Sequence, residues 1–390
     1  MQRVSADFKT LLEGKRLSES YKFDSGETIK NLFKWMLKEK IVDAVIGFEA
    51  KKSRYQLSPV AIEDPAAKMT DVPLSAYMVY NYARMNSAAN FLHKNMNGAK
   101  DKKVALIARP CDVRGLEEIS KRWQVNLDNL FLISTECYGT LSFQEAPKIY
   151  TAQEVADPEK VTKEALSEDA VTIWVDGKTK TIKLDKKFDR WESCNRCPDK
   201  QSQSSDLSLA NVDGTFIVST QSQKGKEILK KAIDAKAITV QKADDTLIKK
   251  KDALLQKLID TGTSQRETAI TEFMKLSPAE RFKKVVEAYE KCRRCGVCIR
   301  SCIVCFCKDC IVIKKKDDLD PVLYCMTRLG HMGDSCVQCG KCGQNCPAKI
   351  PLPYIHLMFL QNVQDAFSFV PGKKDEAPPR SGESIKQLVH

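Results

Sequence analysis

The sequence predicts a mixed α/β domain first, a helical segment after it, and a compact cysteine-ligated module towards the C-terminal end. Three observations carry this. Short apolar runs alternate with amphipathic helical stretches up to about residue 225, and apolar residues then recur at helical spacing among lysines from 226 to 289. In "CRRCGVCIRSCIVCFCKDC", Cys292 to Cys310, seven of nineteen residues are cysteine. A chain of 390 residues has room for roughly two or three domains. The division expected is 1–225, 226–289, 290–355, and 356–390 as a terminal helix and disordered tail.

The elements follow in order. "DSGETIKNLFKWMLKEK" places Ile29, Leu32, Phe33 and Met36 on one helical face behind Asp24 or Ser25 as N-cap, and "IVDAVIGFE" follows as a buried strand. "KVALIA" and "NLFLIST" read as strands separated by the helical "DVRGLEEISKRW". "VTIWVDGKTKTIKL" reads as a hairpin turning at Asp176-Gly177, and "TFIVST" closes the domain. In "SPAERFKKVVEAYEKC", Ser277 and Glu280 make a capping box with Pro278 at the first helical position, so a helix leads into the cysteines. "IHLMFLQNVQDAF" is a short amphipathic helix, and "VPGKKDEAPPRSGES" has the composition of a disordered tail.

Composition narrows the function classes. The first residues lack the apolar core of a signal peptide, and no stretch approaches the roughly 18 apolar residues that span a bilayer, so the chain is read as cytoplasmic with no transmembrane segment. In a reducing compartment sixteen cysteines point to metal or redox chemistry rather than disulfides. Fifteen phenylalanines and ten tyrosines argue against a disordered metal scavenger. The net charge of +12 is spread over lysines interleaved with acids, as in "KKAIDAKAITVQKADDTLIKKKDALLQK". That pattern argues against nucleic acid and for solvated helix faces and surface for acidic partners. No G-x-G-x-x-G fingerprint for a nicotinamide cofactor is present, and none of the four histidines sits beside a convincing catalytic partner.

The cysteine spacing carries the chemistry. Cys292, Cys295, Cys298 and Cys302 have the spacing C-x2-C-x2-C-x3-C, and Cys336, Cys339, Cys342 and Cys346 repeat it, with Pro347 after the last. This is the dicluster ferredoxin pattern: three thiolates on a tight loop reach one 4Fe-4S cubane, and the fourth reaches its neighbour. By that crossing rule Cys292, Cys295, Cys298 and Cys346 form one set, and Cys302, Cys336, Cys339 and Cys342 the other. Paired zinc sites also use four thiolates, but usually as separated C-x2-C pairs. Ile303 stands where a ferredoxin often carries proline.

Cys305, Cys307 and Cys310 remain, with Cys325 as a fourth. They suffice for a third cluster; a zinc site, free buried thiols or ligand exchange with the neighbouring cluster are the alternatives, and Cys325 in its apolar run is equally a core residue. In the first domain Cys111 and Cys137 each follow a strand, where an open α/β sheet binds ligands, and the pair Cys194 and Cys197 completes a set of four. Either of the first two alone reads as a buried hydrophobe.

"DSGETIKNLFKWMLKEKIVDAVIG", "VALIARPCDVRGLEEI", "ISTECYG", "WESCNRCPD" and "SDLSLANVDGTFIVSTQSQKGKEILKKAIDAKAI" together resemble the beta subunit of coenzyme F420-reducing hydrogenase and its relatives, the formate dehydrogenase beta subunits. "CRRCGVCIRSCIVCFCKDC" and "HMGDSCVQCGKCGQNCPAKIPL" resemble the iron-sulfur part of the latter. The resemblance implies a flavin and cluster domain, with Cys111, Cys137, Cys194 and Cys197 as ligands, then a ferredoxin-like dicluster domain. It implies three or four 4Fe-4S clusters and FAD, with Ser25, Gly26, Glu27 and Thr28 at a helix N-terminus and Asn86, Ser87 and Arg109 as cofactor contacts. Without it, the first four are a plain helix cap and Arg109 a salt-bridge residue.

The function expected is an electron-transfer subunit. It would relay electrons between a soluble carrier, deazaflavin or ferredoxin, and the catalytic subunit of a formate dehydrogenase, hydrogenase or heterodisulfide-reductase-like complex. Where family members carry glycine, this chain has Ser25 and Ala210. These two keep a second expectation open: a flavin-free, polyferredoxin-like adaptor.

Overall fold

The computed structural model describes residues 19–67, 74–82, 85–185, 188–374 and 376–379. The first residues, read above for a signal peptide, and the end of the expected tail lie outside the described residues.

Among the described residues eleven strands form two sheets. In chain order they are β1 (Ser20–Phe23), β2 (Ala44–Ala50), β3 (Leu57–Ile62), β4 (Val104–Ala108), β5 (Leu130–Thr135), β6 (Val161–Leu166), β7 (Ala170–Val175), β8 (Lys178–Lys183), β9 (Leu207–Val212), β10 (Thr215–Thr220) and β11 (Gln241–Lys242). The main sheet has the order β11-β1-β10-β9-β5-β4-β2-β3, and β6-β7-β8 make the second. Within the main sheet β2, β4, β5 and β9 run parallel, and antiparallel strands flank them on both sides. Every residue of β4 and β5 is buried. Central parallel strands covered on both faces read as such unbroken apolar runs.

The helix Glu27–Lys38 buries Ile29, Leu32, Phe33 and Met36 as the periodicity requires. Its N-cap is Gly26, one residue beyond the expected one, while Ser25 Oγ accepts from the Glu27 N–H at 3.2 Å. The β7–β8 hairpin turns on Asp176 and Gly177 at φ 49° and 70°, the paired positive φ of a type I′ turn.

The helical segment does more than connect. Helix Gln223–Asp234 buries Leu229 and Ala232 in the main core, and β11 adds an edge strand beyond it. The thirty-residue helix Asp245–Met274 buries Leu255, Leu258 and Ile259 in the same core. Helix Pro278–Tyr289 starts with the capping box of Ser277 and Glu280 and delivers the chain to Cys292.

The tail departs from the expectation of disorder in its described part. Phe369 is buried beneath the Lys121 ammonium, the Gly372 N–H donates to Glu118 Oε2 at 3.0 Å, and Arg114 Nη2 donates to the Pro371 carbonyl at 3.0 Å. One apolar anchor and two bonds to partly or fully buried charges outweigh a disorder-prone composition. Among the described residues no helix is long and apolar enough to cross a membrane.

Candidate electron-transfer site

The two cysteine motifs fold as copies of one loop. Arg294 and Gly296 have φ of 52° and 71°, and Gln338 and Gly340 at the equivalent positions have 57° and 78°. Each glycine is the N-cap of a four-residue helix that carries the third cysteine, Val297–Arg300 or Lys341–Gln344. Alternating left-handed residues turn successive backbone N–H groups inward, a geometry that suits anions. The Arg294 N–H accordingly donates to Cys292 Sγ at 3.3 Å.

Two adjacent cavities result. Cys292, Cys295, Cys298 and Cys346 line the first, with Tyr324, Cys325 and Arg328. Cys302, Cys336, Cys339 and Cys342 line the second, with Arg328, Met332 and His356. These are the two sets the crossing rule assembles from spacing. Among the described residues no group of three or more His, Cys, Asp or Glu side chains converges on a point that one metal ion could occupy. The thiols stand around cavity walls instead.

Of the four remaining cysteines of this region, Cys305, Cys310 and Cys325 belong to one apolar cluster. Cys325 lines the first cavity beside Cys292, and their interaction lowers the Cys292 thiol and raises its own. Cys305 lies against Cys302 in the same relation, with Cys310 nearby, and Cys307 is exposed.

The first domain gathers its own four from three distant places. Cys111 sits in the first turn of helix Pro110–Ser120, just after β4, and Cys137 follows β5 by two residues. The carboxyl edge of the parallel strands therefore holds both. Cys194 and Cys197 arrive on the short helix Glu192–Asn195 and the loop after it. Lys200 fastens this loop to β5: its carbonyl accepts from the Cys137 N–H at 2.7 Å, and its ammonium donates to the Cys194 carbonyl at 3.0 Å. Burial, with Cys137 next, pushes the Cys194 thiol up to about 12. In the second cavity burial likewise pushes Cys336 up to about 11 and Cys339 up to about 12. Such thiols ionise readily once a metal cation binds them.

The first domain and the cysteine module meet at these thiols. Cys339 is a close neighbour of Cys111, raising its thiol after burial and Asp112. Lys341, between Cys339 and Cys342, reaches Asp112 Oδ1 at 3.5 Å and lies 4.4 Å over the Tyr82 ring. Gly340 touches Ser193 so closely that a Cβ there would stand 2.7 Å from the serine side chain. Behind the site, helix Asp245–Met274 runs across the Cys197 carbonyl at Gly262, where a Cβ would stand 2.3 Å from the oxygen. Its Lys251 is paired with the buried Glu136 next to Cys137, at 3.1 Å.

The expected flavin contacts are dispersed. Ser25 and Thr28 line an open cleft of about 710 Å³ together with Lys22, Thr215, Asp244 and Lys250. The cleft lies at the same carboxyl edge, three strands from β5. Gly26 lies under Leu74, and Glu27 pairs with Lys30 at 2.6 Å. Ser87 caps helix Ala88–Asn95 by accepting from the Asn90 N–H at 3.2 Å, and half-buried Asn86 precedes it. Arg109 is buried, donates to the Tyr77 carbonyl at 2.7 Å and to that of Tyr80, and stacks on Tyr77 and Tyr82. Ser87 and Arg109 are thus engaged inside the protein.

Sequence reading missed the buried polar groups around the thiols: the charged Arg328, Lys341, Asp112 and Lys200, and His356, whose pKa burial and Arg328 hold well down. Only Lys341 and Asp112, each adjacent in sequence to a cysteine, carried any signal.

A sheet edge that collects four thiols, joined to a helical module with two thiol-lined cavities, defines a redox subunit. Residues 101–246 match the family described as the C-terminal part of the coenzyme F420 hydrogenase/dehydrogenase beta subunit. The chain is 27% identical over 371 residues to the F420-dependent formate dehydrogenase subunit beta of Methanocaldococcus jannaschii, covering 91% of this chain and 94% of that one. It is 27% identical over 389 residues to the F420-dependent formate dehydrogenase 1 subunit beta of Methanococcus maripaludis, covering 93% and 95%. A chain of the F420-reducing [NiFe] hydrogenase complex from Methanosarcina barkeri superposes with a TM-score of 0.53 at 17% identity, covering 66% of this chain and 94% of that chain. Over most of its length the chain is thus similar to beta subunits of the coenzyme F420 hydrogenase/dehydrogenase type, and it is an oxidoreductase subunit.

Proposed function

We propose that this chain is an iron-sulfur flavoprotein that carries electrons between a soluble two-electron carrier and a catalytic subunit. The observation that carries the reading is the contiguity of the thiol sets. Cys111, Cys137, Cys194 and Cys197 adjoin the second cavity through Cys339, and the second cavity adjoins the first through Arg328.

The donors fit 4Fe-4S clusters. Each set supplies four thiols, and Tyr289 Oη, Tyr324 Oη and Arg328 Nε, all near the first cavity, are buried without a hydrogen-bond partner. Electron-rich sulfur of a bound cluster would satisfy such donors. Bound clusters supply one-electron carriage. The chain's part is to hold them in line, to keep water from the second cavity and to surround them with cations. Three clusters are assigned; Cys305, Cys307, Cys310 and Cys325 are left out because Cys325 stands at the first cavity.

Bound FAD would supply the exchange between two-electron and one-electron carriers. The cleft at Ser25 and Thr28 suits it in size, and its hydroxyls and lysines suit a pyrophosphate. A flavin-free adaptor is the second reading, favoured by the internal engagement of Ser87 and Arg109. The carrier proposed is a deazaflavin, with ferredoxin as the alternative. The partner is the catalytic subunit of a formate dehydrogenase, hydrogenase or heterodisulfide-reductase-like complex, in the cytoplasm.

The test is iron, zinc and acid-released flavin measured on one anaerobic preparation of the full chain. About 12 iron atoms per chain, from three four-thiolate sites, and one FAD are expected. Iron near 12 without flavin, retained or rebound, selects the adaptor; zinc in place of iron removes the electron-transfer reading.

A further inference from the structure

Arg328 lines both cavities of the cysteine module and is 3% exposed. Its Nη1 lies 3.0 Å from His356 Nε2, its Nη2 donates to the Cys298 carbonyl at 3.2 Å, and its Nε has no partner. Among the described residues it forms no ion pair with a carboxylate. The other buried cation of the module differs, because Lys341 is paired with Asp112. An isolated charge is strongly disfavoured in a protein interior unless an opposite charge compensates it. Thiols line both cavities with Arg328, Cys298 in the first and Cys302 and Cys342 in the second, and the charges that act on the guanidinium most strongly are those of Cys298 and Cys342, then Cys302 and Cys305. Cys298 belongs to the first set, Cys342 and Cys302 to the second. His356 extends the contact, with its Nδ1 3.9 Å from Cys342 Sγ.

We infer that Arg328 is the shared counter-cation of the two cluster sites, and that its charge sets the reduction potentials of both. This rests on the cluster assignment above. Reduction adds negative charge to a cluster, so a fixed cation beside it favours the reduced form, more so in a low-dielectric interior. Because one guanidinium stands between the two sites, it also offsets the repulsion between their charges when both are reduced. His356 holds the guanidinium in place and is a positioning residue.

The experiment compares anaerobic wild type, Arg328→Gln and Arg328→Lys as full chains, with iron content and EPR-monitored redox titration. Arg328→Gln is expected to lower the potentials of both C-terminal clusters by at least tenfold in the ratio of reduced to oxidised cluster, or about 59 mV for a one-electron couple. Arg328→Lys, which keeps the charge, is expected to recover most of that shift. Loss of iron from Arg328→Gln that Arg328→Lys restores supports the same role. Full iron with unchanged potentials in Arg328→Gln overturns the inference, as do equal losses of iron or equal shifts in both variants. Wild-type protein without iron would remove the cluster assignment itself and is told apart by the iron measurement alone.

Discussion

The cysteines of the C-terminal module are placed by their neighbours in the chain, whereas those of the first domain are placed by a sheet. Cys292 to Cys302 and Cys336 to Cys346 each lie on one loop, whose left-handed residues Arg294, Gly296, Gln338 and Gly340 set the direction of the thiols. Cys111, Cys137, Cys194 and Cys197 come together only because β4 and β5 are parallel neighbours and Lys200 ties a distant loop to them. The first arrangement is local and doubled. The second depends on remote parts of the fold, so damage far from its thiols reaches it.

The largest expected effect breaks that dependence. Lys251→Met leaves Glu136 buried and unpaired beside Cys137, and removing one partner of a buried pair costs about 3–5 kcal/mol. A lower apparent melting temperature is expected, with iron lost first from the N-terminal set; EPR signals of the C-terminal clusters outlasting the rest identify the order. Gly262→Ala sharpens the comparison. The added methyl meets the Cys197 carbonyl, and overpacking of this kind costs about 1–3 kcal/mol. Iron binding at the N-terminal set should weaken, and the C-terminal signals should be unchanged.

Gly340→Ala acts at the junction. A side chain at φ 78° costs about 1–2 kcal/mol, and its contact with Ser193 pushes the module from the Cys194 loop. Both domains should keep their iron, while electron transfer between them slows in stopped-flow traces. The smallest effect is expected for Cys325→Ala, a buried thiol outside the three sets. Iron content should match wild type, with a stability loss of about 1 kcal/mol; a loss of one cluster's iron would return Cys325 to a ligand set.

The same contrast decides how much was legible in the sequence. The pairing of Cys346 with the first loop and Cys302 with the second follows from spacing, because a tight loop leaves few conformations. The hairpin at Asp176-Gly177 and the capping box at Ser277 were legible for the same reason: each is set by two to four adjacent residues. The place of Cys111 and Cys137 followed from their position after apolar strands, but joining Cys194 to them needed the family resemblance. Arg328 carried no signal, since its meaning lies in two cavities built by other segments. The packing of the described start of the tail carried no signal, because composition does not reveal that Glu118 and Arg114 offer it partners.

The central claim is that the dispersed set and the doubled loops form one line of cluster sites. The direct measurement is iron content and dithionite-reduced EPR of the full-length chain beside its Cys111→Ala variant, both prepared without oxygen. The account predicts that the variant loses about four iron atoms, one 4Fe-4S cluster, and the magnetic interaction of that cluster with its neighbour, while the signals of the two C-terminal clusters persist. Equal iron and identical spectra in the two proteins would contradict it.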